Sequence, residues 1–246
     1  MIDDHQLAGL AAQVTGEVLT ELRREAFSEG WMIWRVRDEG DRRAHERLVE
    51  ELAAARPDDV VLSEEAADDR RRLDAERVWI VDPLDGTVDY SSPYSDDFAV
   101  HVALVSRGVP VAAAVSLPAR GRLFGTATSS LPAPPRRERP VVIASRAQAH
   151  WGQALADDLD GEVIIAGSAG VKAMAVVEGE ADVYIHPTGL YEWDVCAPAA
   201  VAEAAGLFVS GIDGSELEFN QARPVVPGFV VSRPELAEPV LRAING

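Results

Sequence analysis

Residues 98 to 105 read Phe-Ala-Val-His-Val-Ala-Leu-Val, a run with almost no polar position. As a strand it fits only a sheet that is covered on both faces, so helices must pack against that sheet. Val60 to Leu62, Val78 to Val81, Val109 to Ser116 and Leu123 to Thr126 read as further strands, separated by turns rich in Gly and Pro. Their tight spacing predicts antiparallel neighbours. Two helices are expected before them. The first carries Leu7, Leu10, Ala11, Val14, Val18 and Leu22 at helical spacing, behind the capping pair Asp3 and Asp4. The second runs from Asp41, at its N-terminus, to about Ala55, with Ala44, Leu48 and Leu52 on one face and Pro57 as its stop.

Beyond the first sheet, Pro132, Pro134, Pro135 and Pro140 with charged residues between them predict an extended linker from Leu131 to Pro140. This sets a boundary between an N-terminal α+β domain, residues 1–134, and a C-terminal α/β domain, residues 135–246. In the second, strands at Val141 to Ala144, Val163 to Ile165, Val183 to Ile185 and Phe229 to Val231 alternate with helical segments, the order of a layered α/β unit.

The chain carries 41 acidic and 23 basic side chains, a formal charge of −18. That balance argues against nucleic acid polymers and anionic membranes as partners. It would also repel a phosphate ester unless bound cations reversed the local field. The single cysteine, Cys196, leaves no intrachain disulfide and suits a reducing cytosol. No signal-peptide pattern opens the chain, and apolar stretches such as Val109 to Leu117 are too short to span a bilayer. The expectation is a cytoplasmic protein.

The most informative string is Asp82-Pro83-Leu84-Asp85-Gly86-Thr87, directly after the apolar strand Val78 to Val81. Two carboxylates three residues apart around a Pro turn can face one cation, and the Leu84 carbonyl adds a neutral oxygen. Hard oxygen donors of this kind suit Mg²⁺, with Mn²⁺ as substitute, rather than zinc. If a helix starts next, the N–H groups of Gly86 and Thr87 can hold a phosphate oxygen. Taken alone, Asp85-Gly86 is also an ordinary turn. Two other acidic elements fit the same chemistry: Glu64 and Glu65 after the Val60 to Leu62 strand, and Asp194 in Trp193-Asp194. By themselves the first reads more readily as a solvated charge run, and Asp194 reads as no more than a helix N-cap.

Together and in this order, these strings resemble the inositol monophosphatase family of metal-dependent phosphatases, over nearly the whole length. The resemblance implies a five-layer αβαβα sandwich with an antiparallel N-terminal sheet, a mixed C-terminal sheet and the site between the halves. It implies two or three metal ions: Glu64, Asp82 and the Leu84 carbonyl resemble ligands of the first, and Asp82, Asp85 and Asp194 ligands of the second. Asp41 resembles the family aspartate that begins a helix near the site, although Arg37, Asp38 and Glu39 replace the usual residues before it. Asp41, Glu64 and Thr87 are then the catalytic candidates, orienting the attacking water and taking its proton.

Within the family, Ile143-Ala144-Ser145-Arg146, Gly167-Ser168 with Lys172, and Tyr191-Glu192-Trp193-Asp194 resemble the 3′(2′),5′-bisphosphate nucleotidases. That branch implies removal of the 3′-phosphate of adenosine 3′,5′-bisphosphate, a product of sulfate assimilation. Gly86, Thr87, Ser145, Arg146, Gly167, Ser168 and Lys172 would bind substrate, with Arg146 and Lys172 supplying cations for the second phosphate. Arg146, Lys172 and Gly167 also have structural readings, as a surface arginine, a solvated lysine and a strand-to-helix turn. Inositol 1-phosphate, another sugar phosphate and fructose 1,6-bisphosphate are the alternative substrates. A non-catalytic cation- or nucleotide-binding relative is the alternative of another class. The resemblance further implies inhibition by Li⁺ and a homodimer as one assembly.

Overall fold

Alternation along one strand sets the layers. In β2 (Arg77–Asp85), Val78 and Ile80 face one core while Trp79 and Val81 face another, so the sheet holding β2 is buried on both sides, as the apolar run in β3 (Ala99–Ser106) predicts. A computed structural model describes residues 2–127 and 138–246. The predicted boundary at 134/135 and most of the linker around it lie outside the described residues.

The first sheet has the order β1-β2-β3-β4-β5, with β1 at Val60–Ser63, β4 at Val109–Leu117 and β5 at Arg122–Gly125. One surface is covered by α1 (Asp4–Ser28) and α2 (Ile33–Ala55). Asp3 caps α1 by accepting from Gln6 N at 2.8 Å, as expected. The buried stripe of α1 is Leu7, Ala8, Ala11, Ala12, Leu19 and Leu22, while Leu10 is exposed. Small alanines let the helix sit close to the sheet, so the stripe is rotated from the one drawn through the larger residues.

After the one-turn helix α3 (Thr87–Tyr90) and the first sheet comes a second sheet of order β10-β12-β8-β6-β7. Here β6 is Val141–Ala144, β7 Glu162–Ile165, β8 Val183–His186, β10 Phe208–Gly211 and β12 Phe229–Ser232. Between the sheets lie α5 (Ala169–Val177) and α6 (Glu192–Ala204). The outer face carries α4 (Ala149–Asp158) and α7 (Ala237–Asn245). A short pair, β9 (Leu190–Tyr191) with β11 (Val225–Val226), leads into α6. The result is the expected αβαβα stack with a mixed second sheet.

Three features differ from expectation. The N-terminal sheet is mixed, because β1 pairs with β2 in parallel. Residues 64–76 separate those strands, long enough for the crossover that parallel pairing requires, whereas the short turns that follow give antiparallel pairs. Next, α2 begins at Ile33, so Asp41 sits in the helix interior rather than at its N-terminus. Lastly, Asp194 is the third residue of α6, not its N-cap. No helix among the described residues is long and apolar enough to cross a membrane.

Candidate metal and phosphate site

Asp82 and Asp85 both lie in β2, where strict alternation would send residues three apart to opposite faces. The pairing prevents this. Asp82 is opposite His101 and Asp85 is opposite Ala99, so β2 holds one extra residue in a bulge at Pro83-Leu84. A bulge re-aims the side chains that follow it. Leu84 N donates to Asp82 Oδ1 at 3.0 Å, which closes the turn.

Asp85 is held by the second half of the molecule. Its Oδ2 accepts from Ser168 Oγ at 2.5 Å and from Gly170 N at 2.9 Å, and lies 3.2 Å from His101 Nε2. Trp193 O can only accept, so His101 Nδ1, 3.1 Å from it, carries a proton. Burial opposes ionisation of Asp85, but the charge and hydrogen bond of His101, the Lys172 charge and the Ser168 hydrogen bond together outweigh it and hold the carboxyl at about 2. Its other oxygen is left for a ligand.

Asp194 completes the cluster. Its Oδ2 accepts from Tyr191 N at 2.9 Å in a cap that fixes the carboxylate at the head of α6. Carboxylate oxygens of Asp82, Asp85 and Asp194 lie within 4.8 Å of one another. Asp82 Oδ2 is buried without a hydrogen-bond partner, and burial, followed by Asp85, Glu64 and Asp194, pushes the Asp82 carboxyl well up. Burial and then Asp85 raise Asp194 to about 7. An orphaned carboxylate oxygen among converging like charges fits a divalent cation, which would supply the missing partner and cancel the repulsion. Glu64 stands at the exposed end of β1 beside this cluster, its N–H reaching Val81 O at 3.4 Å.

Thr87 links the cluster to α2. Its Oγ1 lies 3.2 Å from Leu84 O and 3.3 Å from Asp41 Oδ1. Gly40 permits this approach: a Cβ there would lie 2.6 Å from Tyr90 Cε1. Burial, followed by Glu65, raises Asp41 to about 7. Gly86 adopts φ +87°, and a Cβ there would meet Asp97 O at 2.5 Å, so glycine is required between Asp85 and Thr87. Because α3 is a single turn, any anion contact by Gly86 and Thr87 relies on the N–H groups themselves rather than on a helix dipole.

The remaining expected substrate residues gather at the C-terminal ends of parallel strands β6 and β7, where open α/β sheets place ligands. Ser145 caps the turn Arg146–Gln148 by accepting from Gln148 N at 3.2 Å. Arg146 is exposed and has no carboxylate partner among the described residues. Gly167 N donates to Asp97 Oδ2 at 2.9 Å. Lys172 is not on a solvated face: it is buried, and its Nζ donates to Gly167 O at 2.8 Å and Ser168 O at 2.6 Å. Burial lowers it to about 8 despite Asp85 and Asp97 nearby. Ser168 and Lys172 thus build the turn that holds Asp85. Tyr191, half-exposed beside Asp194, stacks on Trp193 with ring centroids 4.5 Å apart.

His101 belongs to the site, yet in the sequence it is only a lone histidine inside the apolar run 98–105, with no metal-ligand spacing to another histidine.

Known proteins match this chain in sequence and in fold. A sequence profile of the inositol monophosphatase family matches residues 35–133 and 134–245. The 3′-phosphoadenosine 5′-phosphate phosphatase of Mycobacterium bovis is 45% identical over 240 residues, covering 93% of this chain and 88% of that protein. The 3′(2′),5′-bisphosphate nucleotidase CysQ of Escherichia coli is 31% identical over 77% of this chain and 82% of its own length. The crystal structure of CysQ from Bacteroides thetaiotaomicron superposes with a TM-score of 0.80 at 26% identity, covering 94% of this chain and 97% of that one. With the profile spanning both halves and the layers and acidic cluster in place, the chain belongs to the inositol monophosphatase family.

Proposed function

We propose that this chain is a Mg²⁺-dependent phosphatase that removes the 3′-phosphate of adenosine 3′,5′-bisphosphate, giving AMP and inorganic phosphate. The observation that carries the metal chemistry is the unpartnered Asp82 Oδ2 inside the Asp82, Asp85 and Asp194 cluster. The substrate reading rests on the activities for which relatives 45% and 31% identical to it over the aligned residues are named. Asp82, Asp85 and Asp194, with Glu64 and the Leu84 carbonyl, would hold the cations, and an all-oxygen donor set favours Mg²⁺ with Mn²⁺ as substitute. When bound, such ions lower the pKa of water and neutralise charge on the transferred phosphoryl group.

The chain's own groups supply the rest. Thr87 Oγ1, between Leu84 O and Asp41, orients the attacking water. Asp41, with its carboxyl near 7, or Glu64 takes that water's proton. Arg146, the exposed cation at the end of β6, meets the 5′-phosphate, and the Gly167-Ser168 turn lines the same edge. Lys172 acts by holding that turn. The two halves on either side of residues 134/135 are the units between which substrate sits, and the reaction needs neither a nucleic acid polymer nor a membrane.

Phosphate release from adenosine 3′,5′-bisphosphate, inositol 1-phosphate and fructose 1,6-bisphosphate, measured in parallel with Mg²⁺, tests this. A charge-assisted contact to the second phosphate contributes about 1.5–3 kcal/mol, so kcat/KM should favour the nucleotide over inositol 1-phosphate by roughly 10–100-fold. Equal or greater turnover of inositol 1-phosphate would reject the substrate assignment.

A further inference from the structure

Arg72 is completely buried, yet its guanidinium lies outside the acidic cluster. Nε and one terminal nitrogen fork onto Asp68 at 2.6 and 3.0 Å, and the other terminal nitrogen donates to Asn220 Oδ1 at 2.8 Å. Asn220 Nδ2 returns a bond to Arg72 O at 2.9 Å. The backbone of the same loop then reaches a second buried charge: Asn220 N and Gln221 N donate to the two oxygens of Glu192 at 2.7 and 2.8 Å. Asn220 does this at φ +60°, a conformation of some cost for a residue other than glycine.

The two ends of this chain of bonds matter. Asp68 is four residues beyond Glu64, on the segment that leaves β1, and Glu192 opens α6 two residues before Asp194. An ionic network built around buried charges, here Arg72 and Glu192, is a poor source of net stability compared with apolar packing, and fixing geometry is among its attested uses. Here the geometry is that of carboxylates which repel one another and sit on two elements far apart in sequence.

We propose that Arg72, Asn220 and Glu192 are positioning residues: a brace that fixes the Glu64 segment against the head of α6 and so presets the ligands for a divalent cation. The inference rests on the metal-site reading above and adds residues that touch neither cation nor substrate. Removing hydrogen-bond partners that orient metal ligands typically weakens metal binding by about 10–100-fold.

Mn²⁺ binding to the purified full chain, followed by electron paramagnetic resonance of the free ion, tests the brace without turnover. Glu192→Gln loses one acceptor for the 220–221 amides. Asn220→Gly keeps the left-handed backbone and deletes the link to Arg72, so it carries the test if Glu192→Gln does not fold. Arg233→Met serves as comparator, because it breaks a buried pair with Asp182 at the far end of β8 from His186. Both brace variants should bind Mn²⁺ at least about tenfold more weakly, while Arg233→Met loses thermal stability and binds as the wild type does. Unchanged binding in folded Asn220→Gly, or equal loss in Arg233→Met, overturns the brace alone. A wild-type chain that binds no Mn²⁺ overturns the metal site itself.

Discussion

Thr87 has one hydroxyl proton and two acceptors, Leu84 O and Asp41 Oδ1, at nearly equal distances. Such a group can pass between partners as a water and a substrate arrive, which is the behaviour expected of a residue that orients a nucleophile. Thr87→Val keeps the shape and removes the donor. It should lower kcat by about 10²-fold or more with little change in KM, as read from steady-state phosphate release. The carboxylates divide by how far they depend on distant chain. Asp82, Asp85 and Thr87 could be singled out as candidates because they fall within one six-residue string, and the residue types of that string leave few other uses. The donors that hold Asp85 were not legible as such, since Ser168 and Gly170 lie 83 and 85 positions away and only the folded chain brings them near. Asp194 was legible as a candidate solely through the order of strings.

Helix α2 shows why element boundaries are harder to read. Without a side-chain cap at Met32, nothing in the sequence announces a start, and Gly40 with Asp41 looks like one. The glycine instead serves a close approach to Tyr90. The α1 N-cap, by contrast, was visible in Asp3. Its neighbour Asp4 joins three elements: it accepts from Arg56 Nε at 2.9 Å, after α2, and from Arg77 at 3.0 and 3.2 Å, in β2. The hydrogen bond from Arg77 holds the Asp4 carboxyl below its usual 3.8, against the opposing effect of burial. A carboxylate depressed in the folded state contributes stability above its unfolded pKa and loses it as pH falls through the folded one. Asp4→Asn should therefore cost about 1–2 kcal/mol at neutral pH. That difference from wild type should begin to shrink as pH falls below 3.8 and vanish only once pH is under the lower folded-state value, as thermal melts across pH would show.

At the scale of the molecule, an excess of 18 negative charges surrounds a site meant for a phosphate ester. On the proposed reading, bound cations would answer part of this and the exposed Arg146 at the β6 edge another. Arg146→Ala should raise KM for adenosine 3′,5′-bisphosphate roughly 10–100-fold and leave KM for inositol 1-phosphate nearly unchanged, since only the nucleotide brings a second phosphate. The apolar run of β3 implied only a sheet covered on both faces; the five layers followed from the family resemblance. The parallel β1–β2 pairing did not, because strand spacing alone does not reveal which neighbour a chain crosses over to join.

The most direct test of the account is a Mg²⁺ titration of adenosine 3′,5′-bisphosphate hydrolysis by the wild-type chain and by Asp85→Asn, with AMP and phosphate both quantified. The wild type should release AMP and phosphate in equal amounts, only when Mg²⁺ is present, and Asp85→Asn should be folded and inactive at every Mg²⁺ concentration. Turnover in the presence of a chelator, or near-normal activity in Asp85→Asn, would contradict it.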